Sequence, residues 1–306
     1  MSEEVEKELK KIPGLSWLIK QAKKIILPGL EGLSLYDLWE IYSVGIIKGT
    51  FSTRAGSIAF SFFMAIFPFL LFILNLIPYV WFIDDFQLEV LAFMDTLLPP
   101  QTSEFFNEIF ADIVNNPRGG LLSITFILSI FLMTNGINAI FTGFEFSYHT
   151  TINRSIIRQY LVALGTSIII ALMLLLSVIA FVYLTYIIED LKAIGIFSDN
   201  LYWAQIGRYL VFVLLIYNAV ATLYYFGTKE GRNSRYFSVG AFFTTLLIML
   251  TTFLFSIYIE NFSTYNKLYG SIGALLILMV YIWINANILL LGFELNASIN
   301  RLKQNF

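Results

Sequence analysis

From about Ser57 onward the chain alternates between long apolar runs and polar connections. The runs cover roughly 57–82, 120–146, 159–187, 202–226, 237–259 and 271–298. About 20 mostly apolar residues cross a hydrocarbon core as a helix, and each run is at least that long. Lipid offers the backbone no hydrogen-bond partner, so a span must be a helix or part of a closed barrel. Barrel strands would alternate in segments of about ten residues, and these runs do not alternate. The pattern predicts an all-α fold, a polytopic membrane bundle of six transmembrane helices.

The flanks carry a different pattern. Leu15, Leu18, Ile19, Ala22 and Ile26 recur at helical spacing beside Lys20, Lys23 and Lys24. That is a short basic amphipathic helix, suited either to an anionic lipid surface or to the domain's own face. Pro28-Gly29 ends it, and Leu35, Leu38, Trp39, Tyr42 and Ile46 mark a second amphipathic stretch. The expected organisation is a lead-in over 1–50, a six-span domain over 51–300 and a tail over 301–306. Between the first two spans, 83–117 reads as two amphipathic helices parted by Pro99-Pro100, an acidic cap on the outer face. Pro68 sits inside the first span, where a missing amide hydrogen predicts a kink.

Charge gives the orientation. Lys7, Lys10, Lys11, Lys20, Lys23, Lys24, Lys48 and Arg54 precede the first span. Arg154 and Arg158, then Lys229, Arg232 and Arg235, then Arg301 and Lys303 fall on every second connection and the tail. The intervening loops hold only Arg118, Lys192 and Lys267. Positive residues stay in the cytoplasm, so both termini are expected there in a multi-pass protein. With 13% charged residues, 58% hydrophobic residues and a mean hydropathy of +0.76, the composition departs from that of soluble domains in the same direction. Cysteine is absent, which excludes disulfides and thiolate metal sites.

Function must then be sought among polar groups inside the bilayer, which are costly and rare. Asn135, Asn138, Thr142 and Glu145 follow at i, i+3, i+7 and i+10 on one face of the second span. The sixth span carries Asn285, Asn287, Gly292, Glu294 and Asn296 on two faces, which suggests a central position. Asn75 lies in the first span and Arg208 in the fourth, where Asn218 and Thr222 continue the polar content. The expected cavity lining is therefore Arg54, Asn75, Asn135, Asn138, Glu145, Arg208, Asn285, Asn287, Glu294 and Asn296. Interhelical hydrogen bonding accounts for each Asn equally well. Glu145 and Glu294 fall near the same end as Arg54, Arg154 and Arg158, any of which suits them as a partner.

Catalytic signatures are missing. His149 is the lone histidine, and the chain has no HExxH, GxSxG or Walker sequence. No pair of aspartates lies within the spans, and no extended basic surface suits nucleic acid. The reading is of a protein that is not an enzyme, needs no cofactor and meets membrane lipids rather than nucleic acid, with homo-oligomerisation left open.

Three segments narrow this further. Ala59-Phe60-Ser61 through Phe67-Pro68, Tyr265-Asn266-Lys267-Leu268-Tyr269-Gly270-Ser271 and Leu291-Gly292-Phe293-Glu294-Leu295-Asn296 resemble the signature of the YihY/BrkB family. The resemblance extends in order over roughly 35–300. It implies a six-span inner-membrane protein whose relatives are linked to envelope lipid or lipopolysaccharide handling and to serum resistance, with transport suspected. An older ribonuclease label for that family is regarded as mistaken. The resemblance adds interest to Pro68, Tyr265, Asn266, Tyr269, Gly270, Gly292, Glu294 and Asn296. Phe293 departs from it, since relatives often have a small residue there.

The expected function is a transporter or flippase-like activity on an amphiphilic, lipid-related envelope substrate. Arg54 and Arg208 would contact an anionic headgroup, and Glu145 and Glu294 would gate or carry protons. A non-transporting scaffold for envelope assembly and an ion channel are the alternatives.

Overall fold

A computed structural model describes residues 21–26, 34–37, 50–76, 119–146, 155–193, 200–228, 235–261 and 271–304. Six long helices account for most of them: α1 (Thr50–Leu76), α2 (Gly119–Glu145), α3 (Ile156–Ala193), α4 (Asn200–Gly227), α5 (Val239–Asn261) and α6 (Ser271–Gln304). Each coincides with one apolar run. Five of them, α2 to α6, are long and apolar enough to cross a membrane. Helix α1 has 27 residues, as many as α2. At ~1.5 Å per residue it too exceeds a ~30 Å core. It passes through Pro68 without losing its helical course.

The helices form a closed ring in chain order, each packing on the next and α6 returning to α1. Helix α2 also reaches across to α4 and α6. Neighbours run antiparallel, as the cross-contacts require. Thr134 pairs with Ser167 and Thr142 with Gln159. Gly240 packs on Gly292 while Thr252 bonds Tyr281. The start of α1 and the last turns of α6 therefore share one end of the bundle, joined by Arg54 and Glu294. Arg158 and Arg235, just before Gln159 and at the start of the segment leading into α5, fall at this end too, and we call it the basic end.

The core is concentrated at that end. Phe51, Ala55 and Ile58 of α1 meet Ile137, Ile140, Phe141 and Phe144 of α2. Val220, Ala221, Leu223 and Tyr224 of α4, Ala163 of α3, Ala241 of α5 and Leu289, Leu290 and Phe293 of α6 complete the cluster. Towards the other end large side chains such as Ile127, Phe131, Leu176, Tyr209, Phe253 and Val280 are exposed, as a lipid-facing surface demands.

The lead-in is helical over 21–24 and 35–37. Ser34 and Asp37 cap the second helix reciprocally. The Ser34 amide donates to Asp37 Oδ2 at 2.7 Å, and the Asp37 amide donates to Ser34 Oγ at 3.3 Å. The Leu35 amide donates to the Ile25 carbonyl at 2.9 Å, and Lys23 Nζ sits 4.5 Å from the Tyr36 ring centre. The acidic cap over 83–117 and the segment holding Tyr265, Asn266, Tyr269 and Gly270 lie outside the described residues.

Candidate functional site

Close approach of three helices builds the basic end. Gly143 of α2 has Leu290 of α6 and Ile58 of α1 packed over it, at 3.1 and 3.2 Å from where a β-carbon would stand. That proximity lets Arg54 reach across from α1. Its Nη1 donates to the Gly143 carbonyl at 2.8 Å, a group near the end of α2 where carbonyls lack helical partners. Its Nη2 stands 3.6 Å from Glu294 Oε1, and its guanidinium lies 4.8 Å from the Phe51 ring centre. Glu294 is 4% exposed and Glu145, two residues beyond Gly143, 9%. Of the three cations suggested from sequence, the structure gives Glu294 to Arg54. Arg154 lies outside the described residues, and Arg158 is exposed.

Aromatic rings seal the space beneath this charge pair. Phe144 and Phe293 stack with centroids 4.1 Å apart and planes 8° from parallel. Tyr224 meets both edge-on, at 5.6 and 5.9 Å. Its hydroxyl donates to the Leu289 carbonyl at 2.7 Å and lies 2.6 Å from Thr244 Oγ1. Phe293 thus fills part of the core with a stacked ring.

The remaining predicted cavity residues that are described stand in different surroundings. Asn296 is buried, but its amide caps α5: Oδ1 accepts from the Gly240 amide at 2.8 Å and Nδ2 donates to Ser238 Oγ at 2.7 Å. Ser238 Oγ in turn accepts from the Ala241 amide at 3.2 Å, as an N-cap does. Asn285 and Asn287 donate to carbonyls of their own helix, Tyr281 and Trp283. Asn287 follows Leu276, Val280 and Trp283 on an exposed face of α6, so it points outward rather than into the bundle. Asn135 and Asn138 are partly exposed, and among the described residues neither side chain has a hydrogen-bond partner. Among the described cavity candidates of α6, Asn287 turns outward, whereas Asn285 Oδ1 is buried without a hydrogen-bond partner. The interior of the basic end is aromatic, and a short amide can satisfy its donor on its own helix while facing out. Asn75 and Arg208 lie on α1 and α4, with side chains outside the described residues. Pro68 is buried in α1. Gly292 of α6 is a contact point: a β-carbon there would collide with Thr244 Oγ1 and press on the Tyr224 hydroxyl.

Sequence reasoning missed Tyr224, Thr244, Gln159, Ser238 and Tyr236. Tyr236, in the α4–α5 connection, lies 2.7 Å from Thr222 Oγ1 and donates to the Asn218 carbonyl at 3.2 Å. Only Ser238 carried a signal, a capping residue directly before an apolar run.

This is a polytopic helical membrane protein with a buried ion pair where its first, second and last described helices meet. The family described as Virulence factor BrkB matches over residues 45–305, and the chain belongs to it. A ribonuclease-like protein, YfkH of Bacillus subtilis, is 28% identical over 258 residues, covering 82% of this chain and 91% of the relative. A UPF0761 membrane protein of Coxiella burnetii is 21% identical over 245 residues, covering 78% and 84%. Another, from Idiomarina loihiensis, is 34% identical over 105 residues, 34% of each chain. No solved structure matches.

Proposed function

We propose that this protein moves an amphiphilic, lipid-related envelope molecule across the bacterial inner membrane without catalysing a covalent reaction. Its termini would be cytoplasmic and its partners membrane lipids. The observation that carries the reading is the buried Arg54–Glu294 pair. Taking two charges out of water costs several kcal/mol each, and packed apolar residues of the same size are often as stabilising. A charge pair kept inside a membrane bundle is therefore best explained by use. Here it bridges the first and last described helices over an aromatic seal, where it can latch one end of the bundle shut. An anionic headgroup that competes for Arg54, or a proton that neutralises Glu294, would release the latch.

Reconstitution tests this. Glu294→Gln is expected to slow movement of a fluorescent phospholipid between leaflets at least tenfold while insertion and helix content stay unchanged. Movement at the wild-type rate would remove Glu294 from the mechanism. A scaffold role would instead show as stable copurification of a protein partner with no lipid movement. A channel would show unitary currents in planar bilayers.

A further inference from the structure

Seven asparagines of the six long helices have described side chains, and four of them donate their amide to a protein acceptor: Asn218, Asn285, Asn287 and Asn296. Among the described residues Asn135, Asn138 and Asn300 have no side-chain partner, and Asn300 lies in the last turns of α6. Asn135 and Asn138 lie ten and seven residues before Glu145, about 15 and 10 Å along the helix axis at ~1.5 Å per residue. Their stripe on α2 continues the exposed residues Ile124, Ile127 and Phe131, so it faces out of the bundle.

The neighbouring helix frames the two amides. Thr134 Oγ1 lies 3.2 Å from Ser167 Oγ on one side, and Gln159 Nε2 donates to Thr142 Oγ1 at 2.9 Å on the other. The antiparallel register that pairs 134 with 167 and 142 with 159 sets Asn138 opposite Ala163, which has nothing to offer an amide. The result is a polar seam along α2 and α3 whose paired residues Thr134, Ser167 and Gln159 are buried, with Asn135 and Asn138 partly exposed along its outer edge. Arg158, exposed and adjacent to Gln159, stands where the seam reaches the basic end. The bundle's interior at this level is filled by Ile137, Ile140 and Phe141.

We propose that this α2–α3 seam binds the phosphodiester headgroup of a membrane lipid, with the acyl chains left in the bilayer. A carboxamide gives an N–H to a phosphate oxygen and accepts from a headgroup hydroxyl or ammonium, so such a ligand satisfies both ends of each amide. Arg158 recruits the phosphate at the mouth. A second copy of the chain fits less well: a two-fold pairing about this seam would set the two Arg158 side chains close together. The inference deepens the transport reading by placing its path on the surface, and binding is measured separately from movement.

The test uses the full chain in liposomes with a phospholipid that carries a photoreactive diazirine on its headgroup. Crosslinks are expected on α2 and α3. They should fall at least fivefold in the Asn135→Leu/Asn138→Leu double variant and persist in Asn135→Gln/Asn138→Gln and in Asn287→Leu. Arg158→Gln, a surface change that leaves the bundle intact, should halve capture of an anionic lipid or better while sparing a zwitterionic one. Crosslinks elsewhere, or equal crosslinking in the double Leu variant, would overturn the proposal. So would disulfide-linked dimers of Asn138→Cys with no headgroup capture, which would make the seam an interface between copies. Leu-sensitive capture without lipid movement would leave the headgroup site standing and refute transport. Movement without capture at the seam would do the reverse.

Discussion

Gly292 and Asn296 stand four residues apart on α6, and the sequence marks both without distinguishing their work. Gly292 is a space: Thr244, Tyr224 and the Gly240 carbonyl occupy the place of its β-carbon. Overpacking a full site costs about 1–3 kcal/mol. Gly292→Ala should therefore lower the midpoint of thermal unfolding in detergent. Thr244→Ala, which removes the colliding hydroxyl, should recover part of that loss in the double variant. Equal midpoints for Gly292→Ala and wild type would show that the helices can separate at no cost. Asn296, by contrast, is a cap. A polar residue in an apolar helix announces that something must meet it, but not whether that is a ligand, water or the end of another helix. The decision rests on which backbone lies within 3 Å, and this depends on packing 56 residues away in the chain. Asn287 shows the same limit from the other side, since its own helix satisfies its donor.

At the level of elements the apolar runs located the six long helices of the described residues, because the length needed to cross a membrane leaves little choice of position. The ends were less legible. The first run was expected from about 57, yet α1 begins at Thr50. Arg54 reads as a flank when only its charge is considered, but pairing with Glu294 and the Gly143 carbonyl lets the helix continue through it. Helix α3 runs 38 residues to Ala193, about 57 Å, because Glu189, Asp190 and Lys192 are all compatible with a helix that has left the hydrocarbon. Register between helices was not legible at all, and it is open to test. The chain has no cysteine, so Thr134→Cys/Ser167→Cys adds the only pair. Their hydroxyls stand 3.2 Å apart, and oxidation should join the peptides of α2 and α3 in native membranes. Pairing Thr134→Cys with a cysteine one turn along, at Ile170, should give no bridge. The opposite yield would mean that α2 and α3 are out of the register described here.

For the whole molecule the question is why a bundle whose core is aromatic and close-packed at one end also holds a charge pair there. Stability and function make different demands on Arg54 and Glu294. Removing one partner of a buried pair strands the other and typically costs about 3–5 kcal/mol, whereas replacing both by apolar residues of similar size is often neutral or favourable. Arg54→Met and Glu294→Leu should each destabilise the protein, measured as denaturant midpoint in mixed micelles. The double variant should return to wild type or exceed it, a coupling that only contacting residues show. Lipid movement should not return with it, because a latch without charge cannot be released by a headgroup or a proton. If the double variant recovers both stability and movement, the pair is packing alone. The closed end is then an architectural seal, and the transport reading loses the observation it stands on. If it recovers stability alone, the energetic cost of burying the two charges is explained by what they do for the substrate.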